Sequence, residues 1–421
     1  MNQYLILLDI GGTFVKTAKI DLLEKNEQIK FSQSPIINFI DETAYSREID
    51  PVDLLEQCKF EVSKNINSKE NIAGIFISGQ MGGWILTDED NKPRTNILSW
   101  QDQSVLEYAG KYQDITTYLE NDLGREWKFN SGNELRPGLP IISVINKLDD
   151  LKLKGTRIHT LLSFIAANIV TEYEYILTDT DFASTGMLNI FDQRICIPNS
   201  LSSLSVPNIS RNTIRIGNLQ NTSIPVFTPV GDQQASLHGS GLDAFSIIVN
   251  IGTGGQVAKL GTIDDAKENQ VRPYFDNKLI ITKTHLPSGR LIKNFLKNLF
   301  GTEPSEIDFN LLKDIEFNKS KNIFEPISNF TESHTKYLKG TYGNEKSIEI
   351  FLASLSKEYE NSIQDLGYSQ IKKLIFAGGV GQKIKYISKF IEDKFSLHVE
   401  IAQTQETTLK GLANLGKNYF V

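Results

Sequence analysis

Residues 229–257 read PVGDQQASLHGSGLDAFSIIVNIGTGGQV, and this stretch decides the fold. Ile247 to Ile251 is a short run, apolar except for Asn250, with the length and content of a buried strand. It runs into Gly252-Thr253-Gly254-Gly255. A glycine turn at a strand end can offer backbone N–H groups to an anion. Upstream, Asp232 follows Gly231 and precedes amide and small residues, a setting that does not suit a merely solvated surface charge. An acid that can take a proton and a turn that can hold a phosphate are two halves of a phosphoryl-transfer site.

The N-terminus carries a related pattern. Leu5 to Ile10 (LILLDI) leads into Gly11-Gly12-Thr13 and then Val15 to Ile20, which reads as strand, tight turn, strand. The turn supplies backbone donors and the Thr13 hydroxyl to a phosphate, Lys16 adds a positive charge, and Asp9 suits Mg²⁺ held through water. Taken alone, an ordinary Gly-Gly hairpin with a surface lysine fits equally well. LLDIGGT and IVNIGTGG, however, share the order apolar, polar, Ile, Gly, with Asp9 and Asn250 at the matching polar place. Two such strand-turns, one opening each half, predict a duplicated α/β fold with domains 1–240 and 241–421 and a nucleotide between them.

The 421 residues suffice for two domains of about 200 residues each. The 40% hydrophobic content lets each half bury a core. A net charge of −7, with both signs mixed along the chain, argues against a nucleic-acid partner. Cys58 and Cys196, far apart, suggest a reduced compartment and no disulfide framework. No signal-peptide pattern and no apolar run of membrane-spanning length is present, so a cytoplasmic protein with no membrane partner is expected. The five histidines lack metal-ligand spacing, and there is no Walker-type phosphate loop.

Between the two turns, Pro51 to Asn65 has helical spacing and Ile72 to Ile77 reads as a buried strand. The strand runs into Ser78-Gly79-Gln80-Met81-Gly82-Gly83-Trp84, a wall of polar and aromatic groups with little bulk. In Trp100-Gln101-Asp102 an aromatic face stands beside an amide and an acid, which suits a sugar and equally suits a core tryptophan with solvated neighbours. Lys128 to Pro140 reads as a loop, Leu161 to Tyr173 as a helix, and Thr178 to Thr185 as a polar turn. Farther on, Gly289 to Phe300 and Ser347 to Leu366 are amphipathic helices. Ile371 to Phe376 is a strand ending at a third glycine turn, Gly378-Gly379, which fits adenosine or an ordinary tight turn. Gly411 and Ala413 in a last helix, Thr407 to Asn418, are small enough to pack against that turn. His238 lies near Asp232 in sequence and reads as a structural residue or a pocket wall.

Together LLDIGGTFVK, ISGQMGGW, LSWQD, TDTDFAST, VGDQQASLHG, VNIGTGGQ and IFAGGVG resemble, in this order, the FGGY carbohydrate kinases, over nearly the whole chain. WQD, GDQQAS and the run Arg272-Pro273-Tyr274-Phe275 are most similar to the sedoheptulokinases of that family. The resemblance implies an α/β fold of two actin-like (ribonuclease H-like) domains closing over a catalytic cleft. The first domain would bind sugar and phosphate and the second the nucleotide. It implies ATP and Mg²⁺ as cofactors, a small-molecule sugar as substrate, and a homodimer. Carried over by position, Asp232 resembles the catalytic base. Gln80, Met81, Trp100, Asp102 and Gln233 resemble substrate contacts. Gly11, Gly12, Thr13, Lys16, Gly252, Thr253, Gly254, Gly255, Gly378 and Gly379 resemble nucleotide contacts, and Asp9 a metal contact. Two positions depart: Gly82 where a histidine is common, and Ser104 where an arginine is common. Both are expected to face the sugar.

Overall fold

The computed structural model describes every residue except 1–2, 25–28, 38, 41–42, 68, 148–153, 253, 266–268, 318–325, 328–329, 405 and 421. The chain divides into two compact units. The first comprises Met1–Gly239, Arg272–Lys278 and Glu406–Val421, and the second Ser240–Val271 and Leu279–Gln405.

The first unit is built on β1 (Gln3–Ile10), β2 (Phe14–Asp21), β3 (Phe31–Pro35), β4 (Asn71–Gly79), β5 (Val170–Thr171), β6 (Arg215–Leu219) and β7 (Pro225–Phe227). Their sheet order is β3-β2-β1-β4-β7-β6-β5. Strands β1, β2 and β3 form an antiparallel meander, whereas β1 and β4 run parallel. Leu5 to Leu8 and Ile10 are all fully buried, as a central strand covered on both faces requires. Helix α1 (Pro51–Ser63) starts where Asp50 accepts from Val52 N and Asp53 N, with Pro51 in the first turn, whose missing N–H costs nothing there. Helix α2 (Leu161–Ile169) starts at Thr160, which accepts from Ser163 N. The helix expected to run to Tyr173 stops at Ile169, because β-branched Val170 and Thr171 join the sheet edge as β5. These elements share one apolar core of Ile6, Leu8, Leu54, Ile75, Leu162 and their neighbours.

Helix α3 (Asp179–Phe182) and helix α4 (Asp232–Gly239) complete the part of this unit that matters for chemistry.

The second unit is built on β8 (Ser246–Ile251), β9 (Gly255–Gly261), β10 (Lys278–Leu286), β11 (Lys373–Ala377) and β12 (His398–Ile401). Neighbours in its sheet follow the order β10-β9-β8-β11-β12. Here too three strands form an antiparallel meander and the first of them pairs in parallel with a later strand, β11. Helices α5 (Gly289–Phe300), α6 (Asn344–Leu366) and α7 (Gly378–Lys383) belong to this unit.

Helix α8 (Thr407–Phe420) corrects two expectations. The C-terminal half is not a single block from residue 241 to 421, because α8 and Arg272–Lys278 belong to the first unit. Gly411, expected at the Gly378 turn, packs on α4. A Cβ at Gly411 would run into the Ala235 carbonyl of α4, and one at Gly239 would run into the Thr407 carbonyl. The two helices thus cross backbone to backbone, joined by a hydrogen bond of 2.7 Å between the Ser236 and Thr407 hydroxyls. Gly416 in turn lets α8 lie on Leu5 and Phe76. Among the described residues no helix is long and apolar enough to cross a membrane.

Candidate functional site

In the first unit the functional side chains gather at the carboxyl ends of parallel strands, where α/β sheets bind ligands. Asp9 is the next-to-last residue of β1, in register with Ser78 of β4 and with Lys16 of β2. Val230–Gly231 pairs in parallel with Ser78 and Gly79, so Asp232, the first residue of α4, emerges beside the same edge. Gln80 follows β4 and is pinned there by its N–H to the Ile10 carbonyl, 2.8 Å.

These groups are held with polar capacity unspent. Oδ1 of Asp9 and both amide atoms of Gln80 are buried without a hydrogen-bond partner, and Gln80 is only 3% exposed. Burial pushes the Asp9 carboxyl up to about 7, and the neighbouring Asp232 charge adds to the rise. Asp232 is half-buried. Its carboxyl is raised to about 6 by desolvation, although Gln233 N donates to it at 2.8 Å and Arg272 opposes the rise. A carboxyl poised this close to neutrality is suited to proton transfer.

The sequence reading missed three members of the site. Asp181 of α3 is 1% exposed and accepts from the Thr160 hydroxyl at 2.6 Å, while its Oδ1 has no partner. Burial lifts it to about 7, with a further push from Asp232. Arg272 is drawn down to about 10 by burial and by neighbouring Arg136, and its Nη1 donates to Asn133 Oδ1 at 2.8 Å. Arg136 lies over the Trp100 ring, 5.5 Å from its centroid. Asp181 stood inside the polar turn TDTDFAST and Arg272 inside RPYF, so both segments were noticed without their chemistry. Arg136 sat in a Gly- and Pro-containing stretch read as plain loop.

The expected substrate residues separate. Trp100 is half-buried and reachable. Met81 packs on Gly231, where a Cβ would stand 2.7 Å from its sulfur. Gln233 begins α4 beside Asp232. Asp102 is buried and braced by its own neighbours. It is 1% exposed, and its two oxygens accept from Arg47 N (2.9 Å) and from Ser104 N and Oγ (3.1 and 2.7 Å). Ser104, expected at the sugar, is spent on bracing Asp102. In the first turn, Gly12 lies beside Gln80 Oε1, Thr13 is exposed, and Gly11 N donates to Phe14 O at 3.0 Å. Lys16 is ion-paired with Glu406 at 2.6 Å and is not a lone charge awaiting phosphate. His238 rests against Tyr274 and Phe275.

In the second unit the glycines do different work. Gly378 has φ +77°, and a Cβ on it would meet Asn250 Oδ1 and the Ile251 carbonyl. At Gly255 a Cβ would collide with the Tyr359 hydroxyl, which donates to Pro287 O at 2.8 Å. Gly252 O accepts from the first N–H of α5, Gly289 N, at 3.0 Å. Gly254 and Gly379 have open space around them. Thr253 lies outside the described residues.

Residues 4–239, more than half of the chain, match the N-terminal domain of the FGGY family of carbohydrate kinases. The chain belongs to the FGGY family. A xylulose kinase of Bacillus subtilis (strain 168) is 31% identical over 105 residues, which is 24% of this chain and 20% of that protein. The chain thus matches about a fifth of the length of this curated relative. Among solved structures it is similar in fold to a ligand-bound xylulose kinase from Lactobacillus acidophilus (TM-score 0.76, 17% identity, 99% of this chain and 89% of that one). A gluconate kinase from the same organism gives TM-score 0.77 at 16% identity, over 99% and 89%. Plasmodium falciparum glycerol kinase with ADP gives TM-score 0.73 at 15% identity, over 98% and 89%. The two-unit α/β architecture is therefore that of the FGGY kinases, actin-like and ribonuclease H-like. The acids gathered at Asp9, Asp181 and Asp232 all fall inside the part of the chain that carries the FGGY match.

Proposed function

We propose that this FGGY chain transfers the γ-phosphoryl group of ATP to a hydroxyl of a ketose, sedoheptulose first among them. The observation that carries the reading is Asp232: a half-buried acid at a helix start, lifted to about 6, beside buried polar groups that lack partners. The Asp232 carboxylate takes the proton of the acceptor hydroxyl as that oxygen bonds to phosphorus and the bond to the ADP oxygen breaks. Gln80 and Trp100 hold the acceptor, the amide bonding hydroxyls and the ring covering C–H faces. Phosphoryl transfer needs positioning and charge stabilisation more than covalent help.

The donor set fits a hydrated hard cation. Asp9 has a buried oxygen without a partner, and among the described residues no group of three or more His, Cys, Asp and Glu side chains could hold a metal on its own. Mg²⁺ commonly keeps several waters and binds through one or two carboxylates and substrate phosphates. When bound, it would neutralise phosphate charge, with Asp9 as its protein contact. We assign the backbone around Gly11, Gly12 and Gly254 to phosphates and Gly379 to adenosine, on the resemblance and, for Gly254 and Gly379, on the open space around them. A cytoplasmic location and a homodimer remain part of the same proposal.

A pentulose acceptor is the second reading, supported by the names of the relatives, several of which are xylulose kinases. ADP release measured on sedoheptulose, xylulose, ribulose and polyols tests both. Turnover is expected on at least one ketose, and silence across the panel with ATP still bound would point to a non-catalytic sensor.

A further inference from the structure

Arg136 makes an arrangement that the phosphoryl-transfer chemistry does not use. Its guanidinium lies over the Trp100 ring, and a Cβ on Gly82 would stand 2.9 Å from its Nη2 and 3.3 Å from Trp100 Cβ. Gly82 has φ +78°, and its N–H is fixed by the Ser184 hydroxyl at 3.0 Å. The missing side chain at residue 82 is therefore what makes room for the arginine. A second guanidinium, Arg272, is close enough for the two to repel.

A guanidinium only donates hydrogen bonds, and its fork matches planar oxygen acceptors best. With one face on Trp100, Arg272 as a like charge and Glu134 as an opposite charge, the Arg136 fork still has N–H donors for an oxygen acceptor. We propose that Arg136 is the specificity-determining residue of the acceptor site, reading an sp² oxygen of the sugar. That oxygen is the carbonyl of an open-chain ketose or the carboxylate of a sugar acid. Polyols, which lack such an oxygen, are read without it. The proposal rests on the sugar-kinase reading of the site and assigns its substrate class.

Calorimetric titration of wild type, Arg136→Gln and Arg136→Lys with sedoheptulose, xylulose, gluconate and ribitol tests it, alongside ADP release and melting temperature. Arg136→Gln is expected to weaken ketose or gluconate binding about 10- to 100-fold, as for hydrogen bonds to a charged group, and ribitol less than about threefold. The change should appear in sugar KM, with ATP KM unmoved. Arg136→Lys keeps the charge and loses the fork, so it should recover part of gluconate binding and little ketose binding. The gluconate and ketose arms tell which oxygen is read. Equal losses on ribitol and ketose, no loss on either, or wild type that binds neither ketose nor gluconate overturns the proposal. A lowered melting temperature with all ligands weakened alike assigns Arg136 to structure and also overturns it. Ketose binding that is sensitive to Arg136 but yields no ADP sinks the kinase reading alone.

Discussion

The turn after β1 and the turn after β8 have the same scaffold and opposite chemistry. Each follows the first strand of an antiparallel meander, and each first strand also has a parallel neighbour, β4 or β11. At matching places stand Asp9 and Asn250. In the first turn a Cβ at Gly11 would meet Phe14 O at 3.2 Å and one at Gly12 only Gln80 Oε1 at 3.7 Å, and the adjacent acid is raised to about 7. In the second turn Gly254 is open, but Gly255 is pressed against the Tyr359 hydroxyl, and Gly378 after β11 presses on Asn250 Oδ1 and the Ile251 carbonyl at the end of β8. One scaffold thus carries a buried carboxyl in one copy and a neutral amide in the other. What changes is a single carboxyl and the packing behind the glycines.

The strongest break of the comparison lies at the acid that only the first unit has. Asp232→Asn keeps the shape of the site and removes the base, so turnover should fall about 10² to 10⁴-fold with ATP binding and melting temperature retained. Turnover at the wild-type rate would remove Asp232 from catalysis. Asp9→Asn then gives the first turn the residue of the second. On the proposed role of Asp9 as a Mg²⁺ contact through water, its loss should raise the half-saturating Mg²⁺ about 10- to 100-fold. The reading is checked by titrating Mg²⁺ against turnover, where added Mg²⁺ should restore part of the rate. An unchanged Mg²⁺ curve would mean that Asp9 is only a buried structural acid.

Much of this was legible from residues 5–13 and 247–255, because buried strands announce themselves as apolar runs and glycine turns punctuate them. Asp232 stands out because it follows Gly231 and precedes amide and small residues, and Asp9 because it is the one polar residue in an apolar run that ends at a glycine turn. The bracing of Asp102 was hidden because its partners, Arg47 N–H and the Ser104 hydroxyl, include a residue 55 positions upstream that no local pattern reveals. Arg136 was hidden because the place it fills is defined by what Gly82 lacks, which is a fact of three dimensions. The home of α8 was hidden for a similar reason. Gly411 advertised a close approach, but only the fold shows that the neighbour is Ala235.

The glycines sharpen the comparison at a smaller scale. Gly378→Ala adds a Cβ at positive φ against two oxygens, so it should destabilise by about 1–3 kcal/mol. Gly12→Ala meets only ordinary contact and should shift stability by less than about 0.5 kcal/mol, with any larger effect seen in kinetics. Denaturant midpoints of the two variants, measured side by side, decide this. Equal losses would mean that Gly12 is packed as tightly as Gly378.

The smallest effect is expected from pH, and it has opposite signs in activity and stability. In the roles proposed for them, Asp232 and Asp9, at about 6 and about 7, must be ionised to accept a proton and to hold a cation. kcat/KM should therefore fall as pH drops through about 7, by only about twofold at the first pKa, and more steeply below about 6. Asp9→Asn should leave only the lower limb, whereas Asn250→Asp should not restore the upper one. In the folded state these carboxyls and Asp181 sit above the ordinary aspartate value near 4, so the native chain binds more protons than the unfolded one. Their contribution to stability is full below about pH 4 and is lost as pH rises through about 6 to 7. Asp181→Asn cannot ionise, so its stability should decline less than that of wild type between pH 5 and 8. If the two curves stay parallel, the three acids do not share one buried electrostatic site, and the contrast between the two turns reduces to packing alone.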